Sequence, residues 1–202
     1  MPLSLSLWAP FFLWVLTQRK TPIGNIKVRV GDTLIPFEAK TSDGSDFTLA
    51  DFKGKRILFK FYRGAWCPYC SAELKMFEEM LPKLKKFNIE IVALSNDEVS
   101  EIKIHEKRDT ISYKLLADPD LKVIKGFGVE HQKAFGADTK NTMIVFGLPF
   151  PKTFKSKSMS IPTSILVDEN GIIRWIDQSE DYRLRASEEA VMVAVNSTFK
   201  EN

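Results

Sequence analysis

The chain has 202 residues, 44% of them apolar and 27% charged, with a net charge of +3. That length fits one domain with a full core, and the composition is that of an ordinary globular protein. So small a charge excludes the dense basic footprint of a nucleic-acid binder, and the lysines of 82–86 and 152–157 read as solvated faces.

In chain order, the first feature is an apolar, aromatic run from Leu3 to Leu16, carrying Trp8, Phe11, Phe12 and Trp14 and followed by Arg19 and Lys20. A secretory signal carries its positive charge before the apolar run, the reverse of the order here. The run also falls short of the roughly 20 residues that cross a bilayer. Residues 1–20 are therefore read as a segment apart, either a helix packed on the domain or on a partner subunit, an interfacial membrane anchor, or a shortened span. The expected location is cytoplasmic, with membrane association or self-association through residues 1–20 left open, since basic residues after an apolar run favour the cytoplasmic side.

Residues 21–56 read as a lead-in of short strands, with a turn at Thr41–Ser45 and a helical turn ended by Gly54. Ile57–Tyr62 is rich in branched and aromatic residues, the pattern of a buried strand. Cys67-Pro68-Tyr69-Cys70 follows, and then apolar residues at helical spacing: Leu74, Phe77, Met80, Leu81 and Leu84. Pro82 is expected to kink or restart that helix. Ile89–Leu94 is the next strand, and Ser95-Asn96-Asp97 caps a helix over Glu98–Arg108. A short strand at Leu115–Ala117 leads to a helix ending near Gly128, and 129–158 reads as a loop-like insert with one candidate strand at Met143–Phe146. Two apolar segments, Ile161–Val167 and Ile172–Ile176, flank Asp168-Glu169-Asn170-Gly171, a strong hairpin signal. A last helix is expected over Ser187–Phe199. Strands alternating with helices, then a hairpin and a helix, give an α/β fold with a mixed central sheet flanked by helices.

The chemistry lies in the two cysteines, the only ones in the chain. Their adjacency excludes the disulfide framework of a small secreted protein. Zinc would need two further ligands, and His105 and His131 lie without ligand spacing, so neither metal nor cofactor is expected. Both histidines read as surface or loop residues. A cysteine at the first turn of a helix faces unpaired N–H groups and the positive end of the dipole, which favours thiolate. In such a pair one exposed sulfur attacks and the deeper one resolves the mixed disulfide. Arg63 reads either as a fixed positive charge beside the thiolate or as a surface cation. Trp66 reads either as a shield over the sulfur or as a plain apolar contact.

The segment Phe61-Tyr62-Arg63-Gly64-Ala65-Trp66-Cys67-Pro68-Tyr69-Cys70 resembles the active-site segment of peroxiredoxin-like members of the alkyl hydroperoxide reductase/thiol-specific antioxidant family. Phe52–Lys55, Leu116–Pro119, Phe127–Val129, Ile161–Thr163, Asp168–Trp175 and Asp181–Ala186 are similar to that family in the same order, so the resemblance covers residues 28–198. It implies a thioredoxin-like fold, Cys67 and Cys70 as the catalytic pair, and supporting roles for Arg63, Trp66, Pro68 and Tyr69. It also implies a cis peptide at Pro162, with the backbone of Ile161 against the sulfurs. The implied activity is reduction of a hydroperoxide, recycled by a thioredoxin-like or small-thiol reductant. Exchange with protein disulfides and a non-enzymatic redox sensor are the alternatives. Aligning Cys70 with the family's peroxidatic cysteine puts Arg63 at its proline position and Cys67 at its threonine position. The family's arginine position falls near Pro162, so Arg63 or Arg174 is left to supply the positive charge. The alignment favours Cys70 as the sulfur that meets peroxide, whereas exposure at the helix start favours Cys67.

Overall fold

A computed structural model describes residues 19–23 and 25–199. All but Arg19 and Lys20 of the apolar segment lies outside the described residues. Among those described, no helix is long and apolar enough to cross a membrane.

Eleven strands and four helices are described. The strands are β1 (Glu38–Thr41), β2 (Asp46–Thr48), β3 (Arg56–Phe61), β4 (Ile89–Ser95), β5 (Lys114–Ala117), β6 (Glu130–Gly136), β7 (Thr142–Val145), β8 (Leu148–Pro151), β9 (Lys155–Ser160), β10 (Thr163–Val167) and β11 (Ile173–Gln178). The helices are α1 (Pro68–Lys85), α2 (Val99–Asp109), α3 (Lys122–Phe127) and α4 (Glu188–Thr198). Seven strands form one sheet in the order β11-β10-β3-β4-β5-β1-β2. The centre, β3-β4-β5, is parallel, and β10 and β1 join it antiparallel on either side. The insert after α3 is not a loop but two small antiparallel ribbons, β6-β9 and β7-β8.

The period of two along β3 decides which side each residue serves. Ile57, Phe59 and Phe61 join one core with Phe37, Phe52 and Phe127. Leu58 and Tyr62 join the opposite core, with Leu74, Phe77, Met80 and Leu84 of α1 and Val191 and Val195 of α4. Lys60 alternates with these and faces α1. α1 runs unbroken through Pro82. The proline lies within its last turn, where it removes the donor to the Glu78 carbonyl, yet only three helical residues follow it and the helix does not restart. The β10–β11 hairpin is present, and Asp168 organises its turn by accepting the amides of Asn170 and Ile172 at 2.9 Å.

Phe59 is fully buried and stacks on Phe37 at 5.3 Å, with Phe61 at 4.7 Å and Phe52 at 5.6 Å. Phe59→Ala should cost about 3–5 kcal/mol, as for other large core aromatics. Urea denaturation checks this; a loss below about 1 kcal/mol would contradict the packing described.

Candidate active site

Cys67 is the N-cap of α1, with extended backbone and no side-chain capping bond, and Pro68 takes the first helical position, where its missing N–H costs nothing. One turn in, Cys70, Glu73 and Leu74 share the buried face of α1. Lys60 reaches that face from β3. Its ammonium lies 2.6 Å from Glu73 Oε1 and 3.1 Å from Ser164 Oγ, on the strand paired beside it. Glu73 Oε2 accepts Arg185 Nε at 2.8 Å, and Arg185 Nη2 lies 3.6 Å from Cys70 Sγ. Arg185 is further pinned through its carbonyl bonds to Tyr182 and Leu184. Three charges thus sit out of water, and each has an opposite partner, the condition for tolerating them there.

The same arrangement separates the two sulfurs. Burial pushes Cys67 well above the ordinary thiol range, and its hydrogen bond and proximity to Cys70 push it further; Arg63 and Arg185 only partly oppose this. Burial pushes Cys70 up as well. There it is outweighed by the bond from Cys67, the Arg185 guanidinium and the Arg63 amide at 3.4 Å, which bring Cys70 down to about 6. At neutral pH the thiolate therefore sits on Cys70, with Cys67 as a protonated donor beside it.

A loop and two aromatic rings close the site. Gly64 sits at φ +142°, and a Cβ there would come within 2.6 Å of Trp66 Nε1 and 2.8 Å of Asp97 Oδ1. Both atoms are buried without a protein hydrogen-bond partner. Asp97 Oδ2 accepts the Ala65 amide at 2.7 Å and the Ser95 hydroxyl at 2.9 Å. Burial, with the nearby Glu101 carboxylate, pushes Asp97 up to about 7 against those bonds. The Arg63 guanidinium donates to Phe135 O at 2.6 Å and lies 4.0 Å from the Tyr182 ring and 5.4 Å from Trp66. Tyr69 is part-exposed, edge-on to Tyr182 at 6.0 Å.

Several expectations need correction. Cys67 is not exposed; it is 1% accessible and Cys70 is 0%, because Trp66 and Tyr62 pack with both. The Ile161–Pro162 peptide is trans. Its backbone is held on both sides, Ile161 N–H on Val129 O and Pro162 O under Ser179 N–H, so the chain enters β10 in the conformation a peptide ordinarily prefers. Met159 and Ser160, just before them, nonetheless flank the cysteine loop: Met159 Sδ accepts from Arg63 Nε and Ser160 Oγ–H donates to Tyr62 O. Arg174 is drawn off to Asp168 at 2.6 Å and stays out of the site. His105 is buried rather than on the surface. Its Nε2 faces both Ser71 Oγ (3.3 Å) and Asp109 Oδ2 (3.1 Å), so one nitrogen meets both neighbours and no Ser–His–Asp relay forms. Arg108 ties that cluster to the cysteine loop through Ala65 O at 2.8 Å. His131 is half-buried on β6, and burial, helped by Arg63, lowers it to about 4.

Sequence reasoning missed Lys60, Glu73, Asp97 and Arg185. The signal for the first two was present: a lysine in an otherwise apolar strand, and an acid on the apolar face of the next helix. Arg185 lies in the Asp181–Ala186 segment of the resemblance, but nothing local links it to Cys70, 115 residues away.

Comparison with known proteins agrees with this fold. The AhpC/TSA family model matches residues 30–176. Peroxiredoxin Bcp of Escherichia coli is 29% identical over 112 residues, 55% of this chain and 72% of that protein. Thiol-disulfide oxidoreductase ResA of Bacillus thuringiensis is 32% identical over 104 residues, 51% of this chain and 60% of that one. The crystal structure of peroxidoxin BcpB from Mycobacterium tuberculosis superposes with a TM-score of 0.65 at 19% identity, covering 86% of this chain and 99% of that one.

Arg185→Met removes the cation beside Cys70 and leaves only the Cys67 bond and the Arg63 amide against burial. The thiolate midpoint, followed by ultraviolet absorbance, should rise from about 6 toward the ordinary thiol value of about 8.5. A midpoint that stays near 6 would show that Arg185 does not hold the charge.

Proposed function

Because the chain belongs to the AhpC/TSA family, we propose that it is a thiol peroxidase in which Cys70 is the peroxidatic sulfur and Cys67 the resolving one. The observation that carries this reading is the convergence of the Arg185 guanidinium, the Arg63 amide and the Cys67 thiol on Cys70 Sγ. A thiolate is the form that attacks a peroxide oxygen. The Cys70 thiolate attacks the distal, hydroxyl oxygen of a hydroperoxide and the O–O bond breaks, giving Cys70 sulfenic acid and an alkoxide that takes a proton to leave as the alcohol. Cys67 then attacks the sulfenic sulfur through its thiolate, water leaves, and a Cys67–Cys70 disulfide remains. A dithiol reductant of the thioredoxin kind takes up that bond and becomes oxidised in turn.

Trp66, Arg63 and Tyr182 lie over the pair, and Pro68 starts the helix that carries it. Tyr69 is exposed beside the pair and is where an incoming reductant would meet the protein, whereas Ile161 and Pro162 are buried. The likeness to a thiol-disulfide oxidoreductase favours a second reading, exchange with protein disulfides through the same two sulfurs.

Reduced protein, one equivalent of hydroperoxide and a sulfenic-acid trap test the assignment. Cys67→Ser should still consume one peroxide and be trapped at Cys70, while failing to turn over with reductant. Cys70→Ser should fall to background. Peroxide consumption that survives in Cys70→Ser and disappears in Cys67→Ser would reverse the roles. Insulin reduction without peroxide turnover in the unaltered protein would favour the second reading.

A further inference from the structure

The β7–β8 ribbon presents apolar side chains to solvent. Phe146, at its turn, is 101% accessible, Ile144 is 55%, and the cross-strand neighbours Met143 and Phe150 are 46% and 41%. Neither core cluster includes them. Phe146 holds φ +50° beside Gly147 at φ +75°, a turn where Asn or Gly is the ordinary choice and a large apolar residue is unfavourable twice over. The ribbon is nonetheless fixed in place: β8 packs on α1, Pro149 is buried, and Lys75 donates to Gly147 O at 2.9 Å.

Charge decides what the ribbon meets. From residue 139 to residue 167 there is no acidic side chain; Lys140 and Lys152 bracket the ribbon's open end, behind the uncharged tip, and Lys140 and Lys157 share a cleft with Glu98, Glu101 and Asp138. Asp138, just before this stretch, engages Lys155 alone. Pro149 and Pro151 remove two amide donors from β8, so strand addition by a peptide is a poor fit. A lipid surface needs neither shape nor hydrogen bonds from its partner. It rewards exposed aromatic and aliphatic tips, and an anionic one also rewards flanking lysines. Leu3–Leu16 followed by Arg19 and Lys20 repeats that order of apolar run and basic flank elsewhere in the chain.

We propose that the β7–β8 ribbon is a docking wedge for anionic bilayers, with Phe146, Ile144, Met143 and Phe150 entering the interface and the lysines engaging headgroups. This is independent of the redox reading, because none of these residues touches the sulfurs.

The test is co-sedimentation of the full chain with vesicles of phosphatidylcholine alone or mixed with phosphatidylglycerol. The unaltered protein should bind the mixed vesicles, bind less in high salt, and bind phosphatidylcholine weakly. Ile144→Ser with Phe146→Ser should lower affinity for the mixed vesicles ~10-fold, given the apolar area removed. Lys140→Glu with Lys152→Glu should lower it comparably without touching the apolar tip. Unchanged peroxide turnover in solution and an unchanged circular dichroism spectrum show that the variants fold. No vesicle binding by the unaltered protein, or undiminished binding in both variants, overturns the proposal. So does a dimer in sedimentation that the serine variant dissociates without any vesicle binding, which would make the ribbon an interface between copies.

Discussion

The site depends on a chain of buried charges: Lys60 on Glu73, Glu73 on Arg185, Arg185 beside Cys70. Removing an ion from water costs several kcal/mol, so none of these groups would persist there alone. Together they deliver one cation to one sulfur and fix it from two directions, a central strand and the first long helix. The geometry follows from two periodicities. Alternation along β3 turns Lys60 toward α1, and the helical repeat of α1 sets Glu73 below Cys70 on the same face.

From this the unlike behaviour of the two sulfurs follows. Both are buried, and burial alone would raise both. Cys70 escapes because its charge is answered by a guanidinium, an amide and the neighbouring S–H. Cys67, at the helix start, receives no comparable set. Position at a helix N-terminus favours a thiolate. Here Cys67 makes no capping bond, and burial outweighs that advantage.

Much of the fold was legible in the sequence, for physical reasons that can be named. β3 and β10 are strands, close to the expected Ile57–Tyr62 and Ile161–Val167, because branched and aromatic residues fill both faces of a covered sheet. The Asn170-Gly171 turn and the helix after Cys70 followed from turn chemistry and from apolar spacing. The ribbons of 130–160 were not legible, since their strands mix exposed apolar side chains, prolines and lysines and bury little. His105 appeared to be a surface residue because an isolated histidine in a charged helix carries no sign of burial. Asp109 lies one turn on in the same helix, but Ser71 comes from α1 and only the fold brings it to His105. The approach of Arg185 to Cys70 was illegible because of distance: a local pattern cannot announce a partner 115 residues away.

The central claim is that Cys70, not Cys67, carries the thiolate at neutral pH. The most direct measurement is a pH titration of the reduced protein by nuclear magnetic resonance, with carbon-13 at both cysteine β-positions. The account predicts that the Cys70 signal titrates near 6 while Cys67 remains protonated well into the alkaline range. A Cys67 signal that titrates first, with Cys70 unmoved at neutral pH, would contradict it.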